Sequence, residues 1–219
     1  MARLIIFGIG DIAQIANYYF ETDSEHEVVA FTVDRDYLGE GNFEGKPVVA
    51  FEEIEKNYPP GEYKMFIATS YAKLNKIREA KYNSAKEKGY ELVSYISSKC
   101  SYLSQFKCGD NCFIFEDNTV QPFVKIGNNV TLWSGNHIGH HSVIDDHNFI
   151  SSHVVISGHC HIESYCFLGV NATLHNNVTI GTENIIAAGA IIAKNTGGQE
   201  VWLPARSSKL DKKSNEINF

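Results

Sequence analysis

No stretch of this 219-residue chain stays apolar for the roughly 20 residues that a membrane-crossing helix requires. The opening apolar run, Leu4 to Phe7, meets Gly8 after four residues, too short for the core of an export signal. Both absences predict a cytoplasmic protein with no membrane partner. Basic charge is scarce as well. Nineteen Lys and Arg stand against 26 Asp and Glu, for a formal net charge of -7, so no broad basic surface exists to release counterions from a nucleic acid. Nucleic acid is therefore excluded as a partner. Only five cysteines occur, an odd number in a chain without an export signal, which predicts free thiols in place of a disulfide framework.

What is present is enough apolar residue, 43%, for two modest domains, expected at 1–97 and 98–219. In the first, Arg3 to Phe7 reads as a strand and Gly8-Ile9-Gly10-Asp11 as a glycine turn. Ile12, Ala13, Ile15, Ala16 and Tyr19 then follow at helical spacing. Further strands are predicted at Glu27 to Val33, Pro47 to Phe51, Met65 to Ala68 and Tyr90 to Ile96. Helices are predicted from Glu52 to Asn57 and from Tyr71 to Lys88. Such alternation predicts a small, Rossmann-like parallel α/β sheet with crossover helices. Ligands of such sheets bind at the carboxyl ends of the strands, where Gly8, Gly10, Asp34, Thr69 and Ser70 would gather. Gly8-x-Gly10-x-x-Ala13 with Asp34 ending the second strand fits a phosphate-cradling turn and a ribose-binding carboxylate. A plain packing turn, a nicotinamide site and a site for a nucleotide-linked substrate all satisfy that pattern.

The second half obeys a different rule. From Ile114 to Ile192, every sixth residue is Ile, Leu or Val, fourteen positions in succession. Four residues after these positions stand small or compact residues, among them Val130, Asn136, Ser142, Asn148, Val154, Cys160, Cys166, Ala172, Val178, Asn184 and Ala190. Neither a helix nor an antiparallel strand has a period of six, so the pattern predicts a left-handed parallel β-helix with both positions pointing inward. Glycine follows the aliphatic residue at Gly127, Gly139, Gly169 and Gly181, where the chain turns a corner. The sheet before the solenoid and the tail after Lys194 would cap its ends.

Eight of the nine histidines lie between His137 and His175. His159-Cys160-His161 with Cys166 has the look of zinc chemistry, but both cysteines occupy the inward phase, and no metal site is expected there. His141, His147, His153 and His159 share one phase, which reads as outward-facing surface, and His141 should stack on His159 eighteen residues on. His140 stands out of that phase, two residues after Ile138, and is the sharper candidate for acid–base work.

These residues together resemble bacterial sugar acyltransferases of the hexapeptide-repeat superfamily, in particular nucleotide-linked amino-sugar N-acetyltransferases and the sialic acid O-acetyltransferase-like group. The resemblance runs over nearly the whole chain. It rests on Ile5-Ile6-Phe7-Gly8-Ile9-Gly10, Val33-Asp34, Ile138-Gly139-His140, Cys166-Phe167-Leu168-Gly169, Ala188-Gly189-Ala190 with Lys194, and Pro204-Ala205-Arg206. It implies a homotrimer with acetyl-CoA between adjacent solenoids, an active site shared by two subunits, and surface-polysaccharide biosynthesis. It further implies a nucleotide-linked sugar held by the N-terminal residues named above. His140 would be the base that deprotonates the acceptor, with Gly169, Ala187, Ala188, Gly189, Lys194 and Arg206 along the coenzyme groove. Two departures stand out. His141 replaces the carboxylate that often follows the base in the family, and the two imidazoles should lower each other's pKa. Asp11 sits where a phosphate would be repelled. O-acetylation of a sugar hydroxyl, a non-catalytic trimeric nucleotide-binding scaffold and a nicotinamide oxidoreductase are the alternatives.

Overall fold

The computed structural model describes residues 2–39 and 41–217. Strand β1 (Arg3–Phe7) is an interior strand of the first sheet, and its uninterrupted apolar run is what a strand covered on both faces requires. Helix α1 (Asp11–Asp23) buries Ala13, Ala16 and Phe20, three or four residues apart, against that sheet. β2 (Glu27–Val33) pairs with β1, and a short strand β3 (Asn42–Phe43) turns back into β4 (Lys46–Ala50). The brief helix α2 (Ile54–Asn57), β5 (Tyr63–Ile67) and helix α3 (Lys76–Glu87) follow, and the sheet order is β3-β4-β2-β1-β5.

Three details correct the sequence-based expectations. The β3–β4 connection is an antiparallel hairpin in place of a crossover helix, turned by Glu44 and Gly45 with φ of 51° and 74°. Helix α3 starts at Lys76 and not at Tyr71, because Lys73, Leu74 and Asn75 all take positive φ, which no right-handed helix can absorb. The segment Tyr90 to Ile96 is a joint and not a sheet strand. Leu92 makes one bridge to Met65, and Tyr95–Ile96 already pairs with Phe113–Ile114 of the solenoid.

From Tyr95 the chain winds into a three-sided left-handed β-helix. Face 1 stacks seven two-residue strands, Tyr95–Ile96, Phe113–Ile114, Thr131–Leu132, Phe149–Ile150, Phe167–Leu168, Ile185–Ile186 and Val201–Trp202. Face 2 stacks six, from Ser101–Tyr102 through His137–Ile138 to Ile191–Ile192, and face 3 stacks four, from Lys125–Ile126 to Thr179–Ile180. Up to Ile192 each successive strand on a face pairs in parallel with the one eighteen residues earlier, so one coil is three hexapeptides, and only the closing strand Val201–Trp202 comes after a shorter turn, sixteen residues past its partner. The aliphatic column and the small column are both buried in one continuous core. Each aliphatic side chain so buried stabilises the coil by about 1.5–3 kcal/mol. A charged replacement at the middle of that column, Ile156→Asp for instance, would break it.

The residue after each inward aliphatic is followed, two positions later, by a corner residue in left-handed conformation. Asn111, Asn129, His141, His147, His153, His159, Tyr165, Asn171 and Asn177 all have φ between 52° and 64°. Short polar side chains tolerate that region best, which is why asparagine and histidine recur there. Trp202 packs on the last coil, while Cys100, Tyr102 and Cys108 close the first.

Candidate functional site

The three corners of the prism differ in what lies on them. Corner 2/3, between faces 2 and 3, carries His140 and His141 in one coil and Gly158 and His159 in the next. The His140 backbone N–H donates to Gln121 Oε1 at 2.9 Å, and its carbonyl accepts from the His159 N–H at 2.9 Å. A Cβ on Gly158 would stand 2.7 Å from the His140 ring, so only glycine leaves this imidazole its place. The His141 ring is stacked between Phe123, at 4.5 Å, and His159, at 4.7 Å with planes 12° apart, as the repeat phase predicts. Nδ1 of His140 and Nδ1 of His141 are 3.1 Å apart, a hydrogen bond whose direction depends on the tautomer.

His141 has its pKa lowered, first by desolvation within the stack and then by the neighbouring His159 and His140. A neutral His141 can accept a hydrogen bond from the Nδ1–H of His140 and so leave Nε2 of His140 with its lone pair free. The arrangement can therefore hold one imidazole in a fixed tautomer without any carboxylate.

Corner 1/2 holds Gly169 and, one coil on, Ala187, Ala188 and Gly189. A Cβ on Gly169 would lie 2.5 Å from the Ala188 nitrogen, so the coils close up only with glycine here. Beside them opens a cavity of about 390 Å³, whose walls include Ile12, Tyr71, Trp133, Phe149, Phe167, Gly169 and Ala188. Tyr71 packs its ring 4.9 Å from Phe149 and 4.8 Å from Phe167. A larger cavity, about 730 Å³, continues past Trp133 between α1 and the solenoid, against Tyr18, Tyr19 and Phe115. Trp133 Nε1 and Asn17 Oδ1, both on that wall, are buried without a hydrogen-bond partner among the described residues. Such groups are ready to meet a polar ligand.

The N-terminal candidates lie at the carboxyl ends of three neighbouring strands. Gly8, after β1, has φ of 124°, and a Cβ there would lie 2.7 Å from the Ala68 carbonyl oxygen. Gly10 caps α1 with open space where its Cβ would be, and Thr69 Oγ1 is buried without a partner among the described residues. Ser70 is exposed beside it. Asp34 is already engaged, its carboxylate accepting from Lys81 Nζ at 2.6 Å. Lys194 shares the corner of His140, three coils further on, and Arg206 lies in the exposed tail, so the candidates for phosphate charge are on separate parts of the surface.

Corner 3/1 corrects the expectation that His147 faces solvent. Helix α3 covers it, leaving His147 8% exposed. Arg78, fully buried, donates to the carbonyls of Asn129 and Asn148 and to the Thr131 hydroxyl. Tyr165 donates to Glu79 at 2.7 Å, and Lys76 pairs with Glu183. Tyr71, Trp133, Gly158 and Arg78 were not among the sequence candidates. The signal for the aromatic wall was available in Phe113, Phe149 and Phe167, large apolar residues at the outward phase of one face, which only a covering element explains.

Residues 123–158 and 159–194 match the family described as bacterial transferase hexapeptide (six repeats), so the solenoid is built on that family's repeat. The acetyltransferase domain of PglB from Neisseria gonorrhoeae superposes with a TM-score of 0.81 at 19% identity, over 94% of this chain and 100% of that one. PerB from Caulobacter crescentus, in complex with CoA and GDP-perosamine, gives 0.80 at 18% identity over 92% and 93% of the two chains. WeeI from Acinetobacter baumannii gives 0.76 at 18%, over 92% and 96%. At these identities the likeness is one of fold. No curated protein matches the sequence.

Proposed function

We propose that this chain is an acetyl-CoA-dependent acyltransferase that acetylates the amino group of a nucleotide-linked amino sugar destined for a surface polysaccharide. Its fold is shared with a PglB domain seen with acetyl coenzyme A and with a protein seen with CoA and GDP-perosamine. The observation that carries the proposal is the division of the site. The aromatic cavity, whose walls include Gly169 and Ala188 of corner 1/2 together with Ile12 and Tyr71, which closely follow Gly10 and Thr69 in the chain, is on one side, whereas His140 lies at corner 2/3 of the same chain. Within one copy the two lie on different corners of the prism. A second copy, presenting its corner 2/3 to the cavity of the first, completes the site, and a head-to-tail contact of this kind repeated around the three-sided prism closes as a ring, which we read as a homotrimer.

In this arrangement the nucleotide phosphates sit at the N-terminus of α1, where unpaired N–H groups and the open space at Gly10 receive them against the opposing charge of Asp11 in the same turn. The apolar cavity takes the pantetheine arm beside Gly169 and Ala188. The acceptor nitrogen attacks the thioester carbonyl carbon while Nε2 of His140 takes its proton. The C–S bond then breaks and the coenzyme leaves as its thiol, reprotonated from His140. His141 accepts from Nδ1 of His140 and stabilises the imidazolium that forms.

Release of free thiol across a panel of nucleotide-linked 3-amino and 4-amino sugars tests the proposal. At least one acceptor should turn over, and His140→Ala should lower kcat by about 100-fold or more with the oligomer intact by light scattering. Turnover of His140→Ala at the wild-type rate would move the base elsewhere. A strictly monomeric enzyme at full activity would sink the shared site.

A further inference from the structure

The proposed reaction uses one imidazole of corner 2/3, yet the solenoid assembles three. One ligand nitrogen from each of His140, His141 and His159 lies within 4.8 Å of the others, and the Nδ1 atoms of His140 and His141 are only 3.1 Å apart. All three residues are exposed in the single chain, and in the proposed assembly an ion reaches them through the same cleft that admits the substrates. Their backbones are fixed. His141 and His159 hold the same left-handed corner conformation one coil apart, and the His159 N–H is bonded to the His140 carbonyl. Only the side-chain torsions remain free.

A tetrahedral ion with nitrogen ligands at about 2.0–2.1 Å separates those nitrogens by about 3.3–3.4 Å. The closest pair already has nearly that spacing, and the widest must close by roughly 1.4 Å, within reach of small rotations of exposed rings. The stacking of His141 on His159 holds two of the rings side by side. Imidazole ligands select zinc, copper or nickel over magnesium or calcium. We propose that His140, His141 and His159 form a surface site for a borderline-soft divalent ion, zinc foremost, with water in the fourth position.

The site has a consequence for turnover. With Nδ1 of His140 on the ion, the neutral ring carries its proton on Nε2, which can no longer accept one, and the charge beside it opposes formation of the imidazolium, so the bound ion is an inhibitor. That consequence rests on His140 as the base, whereas the binding does not.

The test uses the untagged full chain, stripped with EDTA and titrated with zinc chloride by calorimetry and with cobalt chloride by visible absorption. One ion per chain should bind saturably, with no heat from magnesium chloride. His159→Asn and His141→Asn should each weaken zinc at least tenfold. Asparagine keeps the left-handed corner, as Asn177 does one coil further on, so both variants should retain the wild-type Tm. His153→Asn, at another corner, should bind zinc as the parent does. Wild-type chain without saturable zinc binding, or His159→Asn with undiminished affinity, overturns the site. In the thiol-release assay zinc should suppress turnover and EDTA restore it. Zinc that binds at this corner without inhibiting overturns the inhibitory consequence. A chain with no turnover on any acceptor refutes the proposed activity, while the zinc titration still decides the site.

Discussion

Corners 2/3 and 3/1 of the solenoid carry histidine at the same repeat phase, in the same left-handed conformation, and end in opposite circumstances. His141 and His159 stand in solvent, stacked on one another beside His140. His147 has the same φ as His141, 62°, but is buried beneath α3, its Nδ1 2.9 Å from the Asn129 amide and its ring 5.6 Å from Tyr82. The repeat dictates backbone and phase at both corners. What differs is the partner. Arg78 and Tyr82 on α3 convert one corner into an interface, and the lack of such a helix leaves the other free for chemistry. A solenoid of near-identical coils acquires a site through what docks on it as much as through its own residues.

The largest effect that would break this contrast is at the anchor. Arg78 is a buried guanidinium held by two carbonyls and a hydroxyl, with no carboxylate among these partners. Burial lowers its pKa to about 10, so it remains charged near neutrality. Arg78→Ala removes the bonds that join α3 to coils at Asn129 and Asn148 and should destabilise the chain by about 3 kcal/mol in urea unfolding. An unchanged midpoint would mean that α3 merely rests on the corner. Smaller, and confined to the other corner, is Gly158→Ala. Its added Cβ meets the His140 ring and not the backbone, so the ring must shift while the coil persists. Turnover should fall about tenfold, with a Tm within a degree or two of the parent. A large loss of Tm would mean that the glycine serves the fold and not the imidazole.

Much of this architecture can be read in the chain before any coordinates. The fourteen-fold aliphatic beat and its small companions are local rules repeated until chance is excluded, and every one of those positions is buried as the period demands. The stacking of His141 on His159 follows from the same arithmetic. The helix N-terminus with its glycines was legible for a similar reason, because Gly8 needs a φ that other residues resist. What could not be read is long-range. The burial of His147 depends on Arg78 and Glu79, nearly seventy residues away in sequence, and the aromatic cavity joins Tyr71 to Phe149 and Phe167. The strand expected at Tyr90 to Ile96 looked regular because it is apolar, yet its hydrogen bonds are divided between two sheets. Periodicity reports which way a side chain points relative to its own coil. It carries no information on what arrives from elsewhere to cover it.

The smallest predicted effect sharpens the comparison through pH. Burial lowers the pKa of His147, opposed by Glu79 and Asp146 and reinforced by Arg78, whose positive charge faces the ring. A histidine whose folded pKa lies below its unfolded one binds protons more readily when the chain is unfolded. Above an unfolded value of about 6.5 the two states bind equally, and this contribution to stability is fully present. As pH falls from about 6.5 toward the folded pKa, the unfolded state gains the proton first and the contribution is progressively lost. Tm measured between pH 7.5 and 5.5 should therefore decline more steeply for the parent than for His147→Asn, which keeps the corner conformation and cannot titrate. Equal slopes for the parent and His147→Asn would show that water reaches the ring beneath α3, and that the two corners are less different than their burial implies.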